Sequence, residues 1–328
     1  MLVGWLHRGV MPFKVGSFTL FRPDVRILRF VNGGFLGNQS RENSRLLLGE
    51  ILGSLQRHEA HAIEFSQLIA DTPLYDLAKR QPNLFCRDQF TPLQPHRYLT
   101  LPANFGEFLG RLSGKYRKEL RRYVSLLERD FPGRVRFRTV FADSDVEDFA
   151  STAGEISQKT YKAALGVGFV NDLETREVLH AAAQKNALRA FLLYIGERPV
   201  AFNSAILSNK TLYGISTGFD PEFKKYRPGL QTMMHLIEQS FDGSISRIDA
   251  GCGDSPYKRF LFDSCWQEAP VWIFASSVKG FRLHLSKLVS TLLHSLAMWL
   301  SANNSLLRGA KKILQHQALR RSQRTNLG

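Results

Sequence analysis

The sequence predicts a mixed α/β fold in which helices flank a largely antiparallel sheet. Three observations carry this prediction. Apolar and polar residues alternate over residues 135–139, as in a half-buried strand. Three apolar runs, at residues 190–195, 200–208 and 211–217, are separated by short turns, which is typical of an antiparallel meander. The apolar positions of residues 230–241 recur at helical spacing, so this helix is expected to pack on a sheet.

Weaker patterns predict the same fold class in the N-terminal part of the chain. Residues 18–30, 60–66 and 97–101 have the composition of strands, and a helix is predicted over residues 43–57. A basic helix is predicted over residues 115–129. Further along, a strand at 245–250, a short helix at 257–262 and a closing strand at 271–276 complete the predicted order of elements.

Three capping-box patterns, each a short polar residue followed three positions later by an acidic one, predict where helices begin. The pairs are Asn104 with Glu107, Ser144 with Glu147, and Asn171 with Glu174. The helices after the second and third pairs are predicted to run to about Ala163 and Ala187.

The motif Phe131-Pro132-Gly133 predicts a domain boundary, because proline cannot continue a helix and glycine readily follows its end. We therefore predict an N-terminal lobe of residues 1–132 that ends in the basic helix. A C-terminal domain of residues 133–278 and a basic, amphipathic helical tail of residues 279–328 follow.

The composition is that of an ordinary globular protein, with 44% hydrophobic and 22% charged residues over 328 positions. Cys86, Cys252 and Cys265 form no CxxC pair, so neither a disulfide framework nor a structural metal is indicated and a reducing compartment is expected. The first twenty residues are interrupted by charges and proline, and no window of eighteen residues is continuously apolar. These features predict a cytoplasmic protein.

The formal net charge of +15 is concentrated in two places. Residues 269–328 contain no Asp or Glu and carry nine Lys or Arg residues. The second place is the predicted basic helix, whose cations are Lys115, Arg117, Lys118, Arg121 and Arg122. Such surfaces attract the phosphates of a coenzyme, a nucleic acid or an anionic lipid.

Four motifs of the C-terminal half point to a known family. They are Arg198-Pro199-Val200-Ala201, Gly218-Phe219-Asp220-Pro221-Glu222-Phe223, Tyr226-Arg227-Pro228-Gly229, and the stretch of residues 249–258 from Asp249 to Lys258. With the order of elements, they resemble the GCN5-related N-acetyltransferase (GNAT) superfamily, and within it the BioF2-like or CelD-type acetyltransferase domain, a relative of the FemAB peptidyltransferases. The resemblance covers about residues 110–275 and implies two GNAT-like lobes.

The resemblance implies a chemistry in which an acceptor amine or hydroxyl attacks an acyl-CoA thioester directly, without a covalent enzyme intermediate. The donor, acetyl-CoA or another acyl-CoA, is expected where the central sheet splays open. The expected acceptor is a small molecule or glycan, such as a sugar, a polysaccharide intermediate or a cell-envelope precursor. No metal is expected in this chemistry.

The start of the helix after Gly229 is the predicted donor site. The backbone N–H groups of Leu230, Gln231 and Thr232 are expected to point out of a helix N-terminus, where a pyrophosphate is favoured, and Arg227 adds positive charge. Only one glycine stands where the family's phosphate loop has two. An ordinary helix start is therefore the alternative interpretation of these residues.

The stretch after the strand at 245–250 supplies the predicted catalytic residues. Tyr257 occupies about the place where related acetyltransferases have a tyrosine that protonates the leaving thiolate, and a phenol is a suitable acid for this step. Asp249 or Asp254 is the predicted base, and Lys258 a predicted coenzyme contact. The alternatives are a core tyrosine, an aspartate that caps the next helix, and a solvated lysine.

Two other function classes stay open from the sequence. One is a FemAB-like transferase that uses aminoacyl-tRNA, which the positive charge permits. The other is a noncatalytic module that binds nucleic acid or an anionic membrane, the latter through apolar residues of 281–300 at the inner face of the membrane. Nucleic acid other than tRNA is not expected, because no helix-turn-helix or RNP-type motif accompanies the basic patches.

Overall fold

The computed structural model describes residues 1–15, 18–35, 37–88, 91–160 and 168–303. The described chain forms two compact units. The first unit consists of residues 1–96 together with the C-terminal segment from Trp266, and the second unit consists of residues 97–265. Both units combine helices with strands, so the predicted mixed α/β class is confirmed.

The first unit is built on four strands in the order β1-β4-β5-β12. Its elements are β1 (Leu2–Val10), β2 (Phe13–Val15), β3 (Phe18–Phe21), β4 (Asp24–Phe35), α1 (Arg41–Gln56), β5 (Ala62–Ile69), α2 (Pro73–Arg80), β12 (Ser264–Phe274) and α9 (Val278–Asn303). Strand β4 runs antiparallel to β1 and parallel to β5, and β12 runs antiparallel to β5. Helices α1 and α2 bury Leu48 and Leu74 against Ile63, Phe65 and Ile273 of the sheet.

Helix α9 has one packed face and one exposed apolar face. Leu283 is 1% exposed and packs in a core cluster with Trp272. In contrast, Phe281, Leu285 and Leu292 are 52%, 48% and 52% exposed. Among the described residues, no helix is long and apolar enough to cross a membrane.

The second unit contains strands in the order β6-β11-β10-β9-β8-β7. Its elements are β6 (Gln94–Thr100), α3 (Phe105–Arg111), α4 (Gly114–Asp130), β7 (Val135–Val140), α5 (Val146–Gln158), α6 (Leu173–Gln184), β8 (Leu188–Ile195), β9 (Arg198–Ser208), β10 (Thr211–Phe219), α7 (Pro228–Gln239), β11 (Arg247–Cys252) and α8 (Pro256–Leu261). Strands β7 to β10 form an antiparallel meander, and β10 runs parallel to β11.

Helices cover both faces of this sheet, because successive residues of a strand point to opposite faces. Phe191 of β8 packs with Ile237 of α7 in one core cluster. Its neighbour Leu192 packs with Phe149 of α5 and Leu179 of α6 in another. The predicted packing of the helix at 230–241 on a sheet is thereby confirmed.

Several predicted boundaries need correction. Asp172 rather than Asn171 caps α6, since its Oδ1 atom accepts the Thr175 N–H at 2.9 Å. Helix α5 begins after a short 3-10 helix, and its N-cap residue, Asp145, forms no side-chain capping hydrogen bond. The end predicted near Ala163 lies outside the described residues. Strand β1 and helix α2 were not predicted at all.

The compact units also divide the chain at positions other than those predicted. The predicted boundary between residues 132 and 133 falls inside the second unit, because α4 packs against the segment 221–226 of the same unit. The predicted boundary between residues 278 and 279 falls inside the first unit, since β12 and α9 both belong to it. Residues 304–328 of the predicted tail lie outside the described part of the chain.

Candidate functional site

The sheet of the second unit opens between two of its strands. Parallel pairing joins β10 to β11 over only three residues, Thr211–Tyr213 with Arg247–Asp249. Among the described residues, β10 and β11 do not pair beyond this point, although β10 continues to Phe219 and β11 to Cys252. Strand β10 also has a register shift against β9 between Gly214 and Ser216, and such a bulge bends a strand locally. The two strands therefore border an opening.

Apolar side chains are exposed along β10 where this opening begins. Tyr213 and Ile215 are each 46% exposed, and Phe219 is 38% exposed. Ile215 lies within the bulge between Gly214 and Ser216, so the alternation of the strand is interrupted between Tyr213 and Phe219. A row of exposed apolar side chains within a sheet is a feature of ligand-binding grooves.

The loop from β10 to α7 is a 3-10 helix, Pro221–Tyr226, that is fixed by the buried carboxylate of Asp220. Asp220 is 3% exposed and accepts hydrogen bonds from Arg198 at 2.8 Å and Lys159 at 3.1 Å, and from the Glu222 N–H at 3.1 Å. Burial raises the pKa of Asp220, but these hydrogen bonds outweigh it and the pKa is lowered. The Arg198 and Asp220 motifs are therefore joined in one ion-pair cluster.

The other end of the same 3-10 helix is held by α4. The Asp130 carboxylate accepts a hydrogen bond from the Tyr226 hydroxyl at 2.9 Å and forms an ion pair with Lys225 at 3.2 Å. Hydrogen bonds from Arg129 and Tyr226 lower the pKa of Asp130 to about 2, so this carboxylate is ionised at neutral pH. Lys225 is consequently committed to a structural ion pair.

Helix α7 begins directly after this segment. Arg227 has a φ of +52°, the left-handed conformation that ends one helix and allows the next to start in a new direction. The N–H groups of Leu230 and Gln231 already bond to the Arg227 carbonyl oxygen at 2.9 and 3.1 Å. Gly229 lies in the first turn, where helix geometry gives its N–H no intrahelical acceptor.

The side chains of the first turn of α7 are used within the protein. The Gln231 amide donates to the Tyr226 carbonyl at 2.8 Å, and the Thr232 hydroxyl donates to the Gly229 carbonyl at 3.1 Å. The five predicted donor-site residues, from Arg227 to Thr232, thus lie together. The groups that can interact with an anion here are the backbone N–H of Gly229, the helix dipole and the exposed Arg227 guanidinium.

Asp249 is the last residue of β11 that pairs with β10, and it lies at the other border of the opening. It is 7% exposed, and its Oδ1 atom accepts the Gly251 N–H at 2.7 Å. Gly251 has a φ of +72°, which a residue with a Cβ adopts only at a cost, so the turn needs glycine. The carboxylate is held in place by this turn.

Lys258 and Asp254 are both engaged in contacts that the sequence did not reveal. Lys258 is 9% exposed, and its Nζ atom donates to the carbonyl oxygens of Gly251 at 3.1 Å and Cys252 at 2.9 Å. Asp254 forms ion pairs with Arg259 at 2.6 Å and with Arg97 at 3.0 Å. Hydrogen bonding from Arg259 lowers the pKa of Asp254, so its carboxylate is a weak base.

Tyr257 is half-buried on α8 and packs against the core cluster that contains Phe262. Burial raises the pKa of its phenol, which therefore stays protonated at neutral pH. The capping alternative for Asp254 is wrong, because the N-cap of α8 is Ser255. Tyr257 thus keeps the protonation state that a proton donor requires.

The structure sorts the predicted residues into two groups. Arg227, Gly229 and the residues that follow begin α7, which continues from β10. Asp249, Asp254, Tyr257 and Lys258 lie on β11, α8 and the turn between them. The two strands that border the opening therefore lead into the two groups. Sequence reasoning missed Arg97, which is 157 positions away from its partner Asp254.

Residues 114–259 match the model of a protein family described as Acetyltransferase (GNAT) domain. This stretch, a little under half of the chain, is similar to a GNAT acetyltransferase domain. The recognised resemblance is confirmed at this level, and the match spans both borders of the opening and every predicted site residue. A comparison with curated protein sequences finds no match to this chain.

Three solved structures are similar in fold to this chain. FemX has a TM-score of 0.51 and 8% identity, with 87% of this chain and 90% of that chain covered. L-PGS from Bacillus licheniformis has a TM-score of 0.50 and 14% identity, with 81% and 86% covered. A conserved protein of unknown function from Bacteroides thetaiotaomicron VPI-5482 has a TM-score of 0.50 and 12% identity, with 75% and 79% covered. At these identities the similarity shows the fold alone.

Proposed function

We propose that the protein is an acyl-CoA-dependent acyltransferase, with acetyl-CoA as the first donor to test. The observation that carries this proposal is the opening between β10 and β11, which lies inside the GNAT domain and is bordered by the start of α7. The first turn of α7 would bind the pyrophosphate through the Gly229 N–H and Arg227, and the thioester would enter the opening. No metal-binding group of His, Cys, Asp or Glu occurs among the described residues.

The proposed reaction is direct transfer. The nitrogen or oxygen of the acceptor attacks the thioester carbon, the new bond forms as the carbon–sulfur bond breaks, and the acceptor proton leaves to Asp249, directly or through water. Tyr257 gives its proton to the departing sulfur. Between the two predicted bases, Asp249 is the better choice, because two arginines hold Asp254 as a weakly basic carboxylate.

The acceptor in this proposal is an amine or hydroxyl of a small molecule or glycan, such as a sugar, a polysaccharide intermediate or a cell-envelope precursor. A second candidate donor is aminoacyl-tRNA. Lys115 and Lys118 on α4 favour it, since they are exposed and form no ion pair among the described residues of the second unit. Strongly salt-dependent binding of tRNA without any binding of acyl-CoA would support this second candidate.

The test of the donor site is calorimetric titration of Gly229→Asp with acetyl-CoA. An aspartate at Gly229 would place a negative charge where the pyrophosphate is expected, so the affinity should fall about tenfold or more. A Cβ at Gly229 would lie 3.2 Å from Cδ1 of the partly exposed Phe219, which leaves room for adjustment. Gly229→Asn has the same size without the charge and is expected to bind much more like the original protein.

Two outcomes would contradict the proposal. Equal losses in Gly229→Asp and Gly229→Asn would mean that size rather than charge matters at this turn. An absence of heat with every acyl-CoA, for a protein whose circular dichroism shows that it is folded, would remove acyl-CoA as the donor.

A further inference from the structure

A groove in the second unit runs between α4 and α7. Its volume is about 770 Å³, and α3, α4, β7 and α7 contribute its walls. Apolar side chains form the floor, and they include Phe105, Leu120, Phe137, Leu230 and Met234. A groove of this size and composition in a folded domain is a typical small-molecule site.

The two ends of the groove differ in charge. Arg117 and Arg121 lie at one end, four positions apart and thus on one side of α4. Glu128 lines the other end. Glu238 lines the end near Arg117, because α7 runs antiparallel to α4: Tyr226 contacts Asp130 at the end of α4, and Gln231 contacts the Tyr123 carbonyl oxygen. On α4, Arg117 and Glu128 are eleven residues apart, which corresponds to roughly 16 Å along a helix. The groove is therefore long and apolar in the middle, and at one end its two arginines outnumber one carboxylate.

The two arginines are available to a ligand. Both are exposed, and neither forms an ion pair among the described residues of the second unit. Val124, on the same helix, lines the apolar part and is 57% exposed. The groove thus presents an uncovered apolar wall next to two unpaired cations.

His235 contributes an aromatic wall rather than a charge. Its ring stacks on Phe137 with 4.1 Å between the ring centroids and meets the edge of Phe191 at 5.2 Å. Burial lowers the pKa of His235, so the imidazole is neutral at pH 7. The middle of the groove therefore carries no cation that would repel or misplace an aliphatic chain.

We propose that this groove binds an anionic amphiphile, whose aliphatic chain lies between α4 and α7 and whose phosphate or carboxylate head contacts Arg117 and Arg121. The chain buries the exposed apolar wall, and the head neutralises the unpaired cations. The groove shares Leu230 and Gln231 with the first turn of α7, but Arg117, Arg121 and Val124 lie outside the proposed donor site, so the inference does not depend on the identity of the acyl donor.

Calorimetric titration with dodecyl phosphate tests this site. The original protein should bind dodecyl phosphate more tightly than either dodecyl maltoside, which has no charge, or butyl phosphate, which has almost no chain. Arg117→Ser with Arg121→Ser should weaken binding by about tenfold, the combined effect of two exposed ion pairs. Lys115→Ser with Lys118→Ser removes the same charge from the same helix outside the groove and should leave binding nearly unchanged.

A second variant tests the apolar wall. Val124→Glu places a carboxylate beside the chain at an exposed position, so the fold should survive and the affinity should fall by about tenfold. Val178→Glu, at a residue of α6 that is 47% exposed and does not line the groove, is its control. No binding of dodecyl phosphate, equal binding of the three compounds, or equal effects of variants and controls would each overturn the proposal.

A different observation, on the first unit, supports a second inference. The exposed apolar residues of α9 recur along one side of the helix: Val278, Phe281, Leu285, Leu292 and Leu296. No acidic residue occurs from residue 269 onward. Lys279 and Arg282 are exposed on α9, whereas Lys287 pairs with Asp88; six further cations of the sequence lie beyond the described residues. We infer that this side of α9 lies on an anionic lipid bilayer, because an apolar face and nearby cations act together at such surfaces.

Cosedimentation with phosphatidylglycerol vesicles, compared with phosphatidylcholine vesicles, tests this inference. Leu285→Asp with Leu292→Asp should abolish sedimentation with the anionic vesicles. Leu46→Asp with Leu173→Asp, at residues that are 65% and 69% exposed on other helices, should not. Sedimentation that is equal with both lipids, or unaffected by the α9 variant, would overturn the inference. A change of oligomeric state in that variant without a change in vesicle binding would assign the face to a second copy.

Discussion

Gly280→Ala is expected to destabilise the first unit by about 3 kcal/mol, the upper end of the usual cost of overpacking. A Cβ at Gly280, in the first turn of α9, would overlap with the Ala275 carbonyl oxygen and lie 2.8 Å from the Ala275 carbonyl carbon. These are backbone atoms, so no side-chain rotation relieves the overlap. The Ala275 N–H is bonded to the His61 carbonyl at 2.9 Å, which ties this backbone to the start of β5. Either the helix start or the end of β12 must move.

Urea unfolding followed by circular dichroism measures this effect, and Gly49→Ala is its matched control. Gly49 lies inside α1 of the same unit, and a Cβ there would meet no atom within 4 Å. Alanine at an open helical position should stabilise the protein by about 0.5–1 kcal/mol. The two substitutions should therefore shift the midpoint in opposite directions. Equal shifts would show that the close approach at Gly280 does not limit stability.

Tyr257→Phe is expected to lower kcat by about a hundredfold or more if the tyrosine donates the proton to the leaving sulfur. Phenylalanine keeps the ring that packs in the core cluster and removes only the hydroxyl, so donor affinity should be preserved. Release of the free thiol from acyl-CoA, with an acceptor found in a panel of amino sugars, measures kcat. Because burial raises the pKa of Tyr257, loss of this proton should not limit the rate near neutral pH.

Tyr116→Phe is the control for this experiment. Tyr116 belongs to the same core cluster, stacks on Phe260 at 4.7 Å, and burial raises its pKa to about 12. Both tyrosines are therefore protonated, and only their positions differ. A similar loss of kcat in both variants, or an unchanged kcat in Tyr257→Phe, would assign Tyr257 to packing alone.

Local patterns were sufficient for the elements of the second unit. The strands predicted at 190–195, 200–208 and 211–217 are observed as β8, β9 and β10 with ends that differ by no more than a few residues. The periodicity of residues 230–241 identified α7, since its buried face is continuous. These elements could be predicted because each buries one face. The alternation or helical spacing of its apolar residues is therefore visible within a single segment of sequence.

Such local patterns could not predict which strands pair when they lie far apart in the sequence. The closing strand predicted at 271–276 is part of β12, but its partner β5 lies about two hundred residues earlier, where Phe65 pairs with Val271. No pattern within either segment identifies the other as its pairing partner. For this reason the sequence placed 133–278 in one domain, whereas the structure assigns the strand to the first unit.

The candidate site shows the same limit for side chains. Gly229, at the start of a predicted helix, and Asp249, near the end of a predicted strand, were identified from the sequence. Both lie where the sheet opens. Neither the partners of Asp254, Arg97 and Arg259, nor the carbonyl oxygens that hold Lys258 could be foreseen, because each depends on how a turn folds. Such contacts decide whether a charged side chain is free to act on a ligand.

The pairing of β5 with β12 has a consequence for synthesis of the chain on the ribosome. The second unit is contiguous in sequence, so it can complete its fold while the segment from Trp266 onward is still being made. The first unit cannot, since β5 waits with an unpaired edge until β12 emerges. Premature termination before Trp266 would leave that edge permanently bare, and such fragments should be aggregation-prone and quickly degraded. Synthesis of β12 is therefore a condition for the first unit to fold, although most of that unit precedes the second unit in the sequence.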